Sequence, residues 1–456
     1  MPMEALRDRL RPIRRLVRPV RKALRGRLKL ARCWQGRLLN QFAMARRKRL
    51  HHVTFIGVTG SCGKTTTTSL VGAVLDAAGK CSAVAGIEPG VAGGNQLDDV
   101  IKNVLSIDAA TNFCVQELSG SRLERIPDLV RLLQPQIGIV TNVGSDHYKN
   151  YRSLEATARS KGQLVELLPR TGVAILNADD PHVLAMASRT PARVVTFGCS
   201  PDADVRAVEV SSCWPDRLAL TVTCGSKTHR IRTKLVGEFW TTSVLAALTC
   251  GMVCGLELKE CAKRIELYEP VFGRHSVHAK PNGPVYVFDH KAPFWTIAAS
   301  LAFVKGAQAS RRTIVFGTIS DYPGAAGARY RRVAREALEV ADRVVFVGPQ
   351  AGHVARLRQG GQRDKLFTFE TTYQASAFLA QAAVAGELIY IRGSVAADHL
   401  ERILLSQLDQ VVCWREGCKK IHFCTGCKKY RIATPPPFGV AQLHAGPATA
   451  TSKPPS

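Results

Sequence analysis

Acidic residues are scarce in this chain: 36 Asp and Glu stand against 63 Lys and Arg over 456 residues, a formal net charge of +27. Long apolar runs are missing too. The segment Val244 to Leu256 is apolar but too short for a bilayer span, and its composition predicts a core helix. The first residues contain no continuous apolar stretch, so no signal peptide is expected. Internal repeats are absent, which excludes solenoid and propeller architectures.

Residues 1–50 hold 17 Lys/Arg against only Glu4 and Asp8, so this segment alone carries +15. Within it Leu6, Leu10, Ile13, Val17, Val20, Leu24 and Leu28 recur at three- and four-residue spacing, with Arg on the other face. That pattern suits a basic amphipathic arm on an anionic membrane surface, although Pro12 and Pro19 would kink or break a helix. A solvated, disordered arm is the plainer reading. Aromatic interleaving is sparse, with Trp34 as the candidate for stacking, so nucleic acid is not expected as a partner. Poverty in Ser speaks against an organellar presequence. Cysteine, by contrast, is plentiful: 14 residues, mostly within core-like segments, which fits reduced thiols in a cytoplasmic protein better than a disulfide framework.

From residue 51 the pattern alternates. Strands are predicted at 53–58, 113–117, 137–141, 172–176 and 193–197, with helices at 64–79, 121–133 and 153–168. This is the pattern of a doubly wound α/β domain with a mostly parallel sheet. A β-rich patch at 205–235 and a helix at 241–255 lead to the turn-like Tyr268-Glu269-Pro270. A second alternating unit follows, with strands near 285–288, 313–316, 343–347 and 388–391, and reads as a Rossmann-like α/β domain. The expected organisation is a basic arm (1–50), an ATP-binding central domain (51–268), a Rossmann-like domain (269–412), a Cys-rich knuckle (413–430) and a disordered Pro-rich tail (431–456).

The stretch Gly57-Val-Thr59-Gly60-Ser-Cys-Gly63-Lys64-Thr65-Thr66 lies between an apolar strand and a helical stretch. Strand, Gly-rich turn and helix N-terminus in that order make an anion site, where backbone N–H groups and the helix dipole face phosphate. Lys64 would reach the outer phosphates of ATP, and Thr65 could ligate Mg²⁺. The spacing is one residue longer than the common Walker loop, which needs Gly where Val58 stands. Three further stretches narrow the chemistry. Glu117 ends a predicted strand, where such sheets place their ligands. Asn142, Asp146 and His147 follow the next strand, and Lys161 lies on the helix after it.

Together these residues resemble the Mur ligase family, which joins amino acids to cell-wall precursors and includes folylpolyglutamate and cyanophycin synthetases. The resemblance spans about residues 53–405 and is strongest in the first half. It implies that Thr59, Gly60, Gly63, Lys64, Thr65 and Thr66 bind ATP and that Glu117 and His147 hold Mg²⁺. It also implies that Lys161 is the lysine many members carry as a carbamate. Leu176-Asn177-Ala178-Asp179-Asp180-Pro181 is similar to a family segment. Phe272-Gly273-Arg274 looks like the start of the family's C-terminal domain, whose Arg274 would reach ATP, and Asp289 and Lys291 look like its nucleotide motif. Ile391-Arg392-Gly393-Ser394 resembles a late Gly-Ser element of the branch that adds a D-alanyl dipeptide.

The implied function is an ATP-dependent acid–amine ligase working through an acyl phosphate. The alternative is a catalytically impaired nucleotide-binding scaffold; a simple P-loop kinase or ATPase would leave the second domain unexplained. Two departures bear on this. Where the family has a pair of asparagines near adenine, the chain reads Gly237-Glu238-Phe239-Trp240-Thr241-Thr242-Ser243. The basic segment before the loop also differs from the folded UDP-sugar domain of cell-wall members, which speaks against a standard UDP-muramoyl substrate. Finally, Cys413, Cys418, Cys424 and Cys427 fall close enough to suggest a structural Zn²⁺ site, with His422 as a substitute ligand.

Overall fold

The computed structural model describes residues 36–85, 87–88, 91–92, 95–120, 125–146, 148–358, 362–427 and 430. The expectations for residues 1–35, for His147 and for the tail from 431 lie outside the described residues. Contacts divide the chain into two compact units. The first runs to Ser276 and takes in Pro293–Ala309 and Asp321–Gly324; the second holds Val277–Ala292, Ser310–Ser320 and the chain from Ala325.

The strands of the first unit are β1 (Thr54–Thr59), β2 (Cys81–Val84), β3 (Ile87–Glu88), β4 (Val91–Ala92), β5 (Phe113–Glu117), β6 (Ile137–Val140), β7 (Val173–Asn177), β8 (Arg193–Gly198), β9 (Val205–Ser211), β10 (Ala219–Cys224) and β11 (Lys227–Arg232). Nine of them form one sheet in the order β11-β10-β9-β8-β7-β6-β1-β5-β2, and β3 and β4 pair separately. Pairing is parallel from β2 through β9 and antiparallel from β9 to β11. β1 reads TFIGVT and is buried almost throughout, as a central parallel strand covered on both faces must be.

Successive residues of these strands serve opposite layers. Ile56, Val58, Val115, Ile139 and Ile175 join Leu70, Val71 and Val74 of the helix Lys64–Leu75 in one core. The same core takes the helix Thr241–Val253, which is buried nearly all round and accounts for the apolar run in the sequence. Phe55, Cys114, Val140, Ala174 and Leu176 point the other way, into a core with Val100, Ile126, Leu129 and Leu164. No helix among the described residues is long and apolar enough to cross a membrane.

The helix over 36–49 belongs to that second core, because its Ala43 is fully buried. Arg46 donates to Ile107 O at 2.6 Å, and Arg47 donates to Leu133 O and Gln134 O at 2.6 and 2.7 Å. The last third of the basic segment is therefore part of the folded unit rather than a free arm. Its arginines satisfy carbonyls at helix ends.

A second sheet is built from β12 (Arg274–Ala279), within which the two units divide, and from β13 (Val285–Asp289), β14 (Arg312–Phe316), β15 (Arg343–Val347), β16 (Leu366–Phe369) and β17 (Leu388–Arg392) of the second unit. Its order is β12-β13-β17-β14-β15-β16, parallel from β13 to β16. β15 and β17 are buried at every residue, each a four-residue apolar run with a buried arginine, Arg343 or Arg392, at one end. The α/β class and both alternating units are as the sequence predicts.

Candidate active site at the strand–loop–helix turn

Chain order reverses at β1, between β5 and β6, so the crevice beyond its carboxyl end is the place where sheets of this type bind ligands. The Gly-rich loop occupies it. Gly63 caps the helix Lys64–Leu75 with φ 79° and no side-chain cap, leaving the first-turn N–H groups facing the loop. Gly60 has φ 144°, and a Cβ there would stand 2.0 Å from Thr141 Oγ1. The loop is braced from β6: Ser61 N donates to Asn142 O at 3.0 Å, Cys62 N to Asn142 Oδ1 at 2.8 Å, and Thr141 Oγ1 to Cys62 O at 2.7 Å.

The segment after β7 supports that brace in turn. Asn177 donates to Thr141 O at 2.8 Å, and Val143 N donates to Asp180 at 2.7 Å. Asp180 also caps the short helix Pro181–Leu184, so this part of the sequence shapes the loop without entering it.

The polar side chains converge around Thr65. Its hydroxyl donates to Glu117 Oε2 at 2.8 Å and accepts from Arg274 Nη2 at 2.7 Å. Asn95 Nδ2 donates to Glu117 Oε1 at 3.0 Å. Lys64 Nζ donates to Gly60 O at 2.6 Å and lies 3.9 Å from Asp146 Oδ2. Lys161 Nζ lies 3.4 Å from the same carboxylate oxygen and is wholly buried. Burial, then the charge of Lys64, lowers the Lys161 amine to about 8, with Asp146 opposing.

Lys64, Thr65, Glu117, Lys161 and Arg274 therefore meet in one place. Arg274 opens β12 and lies on the first unit's side of the division at Ser276. Asn142 and Asp146 lie in the loop that the sequence marks after the next strand, whereas Asn95 is the participant that sequence reading missed, an ordinary residue that gains meaning only from the fold. Thr59 and Thr66 are buried beside the loop, Thr59 donating to Leu118 O at 2.9 Å. Asp289 and Lys291 belong to the second unit. There Asp289 is buried and held by Arg392 at 2.9 Å, while Lys291 is exposed. In place of the absent asparagines the first unit has a cluster of tilted and edge-on rings: Phe239 lies 4.6 Å from His275 and 5.5 Å from Trp240 between centroids.

The four C-terminal thiols do not gather as their spacing suggests. Among the described residues, the donors within 4.8 Å of one another are His399, Glu401 and Cys424. Cys413 and Cys427 are outside that group; Cys427 packs instead with Val411, Trp414 and Tyr430. His422 is no part of it either.

The model of the Mur ligase middle domain matches residues 58–251. The UDP-N-acetylmuramoyl-tripeptide–D-alanyl-D-alanine ligase of Mycobacterium tuberculosis is 31% identical over 305 residues, covering 65% of this chain and 58% of that protein. The UDP-N-acetylmuramate–L-alanine ligase of Syntrophotalea carbinolica is 32% identical over 212 residues, covering 46% of this chain and 42% of that protein. The chain thus spans less than two thirds of the curated relatives it matches. Among solved structures, MurF from Acinetobacter baumannii shares the fold at TM-score 0.70 and 20% identity, covering 82% of this chain and 80% of its own. MurF ligase from Thermotoga maritima in complex with ADP does so at TM-score 0.69 and 18% identity, covering 81% and 82%. Residues 58–251 thus match the Mur ligase middle domain, and the fold of solved MurF ligases extends over 82% of the chain.

Proposed function

We propose that this protein is an ATP-dependent ligase that joins a carboxylate to an amine through an acyl phosphate. The observation that carries the reading is the set of buried Lys64, Thr65, Glu117 and Lys161 with half-buried Asp146 and Arg274 around an open helix N-terminus. A carboxylate is a poor electrophile. Its oxygen attacks the γ-phosphorus of ATP and ADP leaves; the amine then attacks the acyl carbon, phosphate leaves, and the amine proton passes to solvent. Catalysis of this kind is mainly positioning and neutralisation of phosphate charge.

In this reading Thr59, Gly60, Gly63 and Thr66 shape the loop whose N–H groups receive the β- and γ-phosphates. Lys64 leaves the Gly60 carbonyl to contact them, and Arg274 adds a second cation. Thr65 and Glu117 offer adjacent hard oxygen donors, a set that fits Mg²⁺. His147 and a carbamylated Lys161 would hold a second such ion, and bound Mg²⁺ would screen the phosphates and the developing charge. Asp289 and Lys291 are retained as nucleotide contacts from the second unit. Adenine would meet the aromatic cluster of Phe239, Trp240 and His275 rather than amide side chains. The basic arm is proposed to rest on an anionic membrane surface, which would place the enzyme in the cytoplasm at the membrane's inner face. A structural zinc belongs to the Cys-rich segment.

The test is isotopic. A carboxylate substrate labelled with ¹⁸O should hand one labelled oxygen to the phosphate released, and ADP formation should need both carboxylate and amine. ADP formation indifferent to both additions would remove the ligase reading in favour of a plain ATPase.

A further inference from the structure

We propose that His399, Glu401 and Cys424 form a zinc site that fastens the Cys-rich segment to the second unit. The proposal is independent of the ligase reading. All three residues are buried, and their donor atoms lie within 4.8 Å of one another. His399 Nδ1 is 2.9 Å from Glu401 Oε1 and 3.6 Å from Cys424 Sγ.

Three observations go beyond proximity. Glu401 is completely buried, yet its Oε2 has no hydrogen-bond partner. An uncompensated buried carboxylate oxygen is costly, and a cation among these donors removes the cost. His399 has φ 50°, a conformation that side chains other than Gly seldom adopt, and it turns the ring onto Glu401 and Cys424. On the far side of that ring, Nε2 lies 2.9 Å from Cys418 Sγ. An imidazole with one nitrogen toward the other donors and the other toward a sulfur acceptor has the arrangement of a metal ligand with its outer partner.

The donor set selects the ion. A thiolate, an imidazole and one carboxylate suit zinc, whereas magnesium and calcium prefer oxygen alone. On binding, the Cys424 thiol gives its proton to solvent, and the resulting thiolate and the Glu401 carboxylate balance the charge of Zn²⁺. A water completes the tetrahedron. The adjacent Arg402 cannot take the ion's place as a hydrogen-bond donor, because its N–H groups go to the carbonyls of Asp398, His399, Cys413 and Arg415.

The role is mechanical. After the helix Glu401–Leu408, the chain up to Cys427 has one short turn, Cys424–Gly426, as regular structure. Its apolar anchorage is a patch of Val411, Trp414, Cys424 and Tyr430, together with the buried Phe423, whose ring lies against Phe288 and His290. A metal shared between the start of that helix and Cys424 would cross-link a segment that has little regular structure of its own.

Full-length protein purified without chelator should contain about one zinc per chain, and Cys424→Ser should remove it. Cys413→Ser and Cys427→Ser should retain it. Cobalt substitution gives a second readout: a thiolate-to-cobalt charge-transfer band that disappears in Cys424→Ser and survives in Cys413→Ser, with circular dichroism confirming the fold of each variant. Zinc absent from the parent protein overturns the proposal. Loss of zinc in Cys413→Ser and Cys427→Ser as complete as in Cys424→Ser also overturns it, in favour of a four-thiolate site.

Discussion

Lys161 is a cation with no exposed surface, and its neighbours decide what it can become. Burial and the nearby Lys64 charge lower its amine to about 8, while Asp146 at 3.4 Å limits the fall. The sign follows directly. Below about 8 the amine is mostly protonated and inert; above it the neutral form predominates. Neutral amine adds to CO₂, forming a new N–C bond and releasing a proton, so carbamate should accumulate as pH rises through that value. With ¹³C-labelled CO₂, a carbamate resonance should grow across this range and be missing from Lys161→Ala. No resonance in the parent protein at the alkaline end would refute the modification. Lys64 makes a sharper case. Its Nζ rests on the carbonyls of Gly60 and Ser61 at 2.6 and 3.2 Å, so its contacts are with the loop rather than the core. Lys64→Ala should lower ATP turnover by roughly 10²–10³-fold, the usual cost of a lost charge stabiliser, with circular dichroism unchanged. Parental turnover in that variant would end the phosphate-loop assignment.

At the scale of elements, the Gly-rich loop is held from outside. Gly60 sits against Thr141, whose hydroxyl bonds Cys62 O at 2.7 Å, so neither side can yield easily. Gly60→Ala should therefore weaken nucleotide binding and cost about 1–3 kcal/mol of stability through overpacking and backbone strain. Nucleotide titration and denaturant midpoints measure both, and an alanine variant matching the parent in both would show that the loop is not rigidly braced. This element was legible in sequence because its signals are contiguous: β-branched strand, spaced glycines, then Lys-Thr at a helix start. The two cores became visible only in the fold, where alternation along β1 and β5 sends successive side chains to opposite layers. What could not be read is partnership across distance. Nothing local tells Asp146 to bridge Lys64 and Lys161, or Asn95 to hold Glu117. Arg274 donates to Thr65 Oγ1, a partnership its sequence neighbourhood does not announce, and the contacts divide at Ser276, a few residues after the turn at Tyr268–Pro270. Cysteine spacing pointed to four thiols, whereas the fold supplies His399 and Glu401 from an earlier segment that carries no metal-like spacing.

The charge distribution acts on the molecule as a whole. Residues 1–50 hold +15 of the total +27, and the helix at their end is docked by Ala43, Arg46 and Arg47. That helix also leaves Leu38, Leu39 and Phe42 exposed, at 55%, 43% and 58%. Positions 38 and 42 lie one turn apart, so the apolar side chains share a face, and Arg37, Lys48 and Arg49 lie nearby in sequence. Apolar residues beside basic ones are what an interfacial segment needs, with each basic residue near an anionic surface worth about 1 kcal/mol at low salt. A deletion that tests this must stop at residue 35, because removing Ala43 would disturb the core as well. Protein lacking residues 1–35 should bind phosphatidylserine vesicles much more weakly than the full chain, and added salt should narrow the gap as screening shortens the reach of charge. In the full chain, Leu38→Ser combined with Phe42→Ser should reduce the salt-resistant part of the binding. Nucleotide binding should be unaffected in both variants, since neither touches the loop. Equal vesicle binding by the full and shortened chains, at low salt, would leave the basic segment with no role at a membrane.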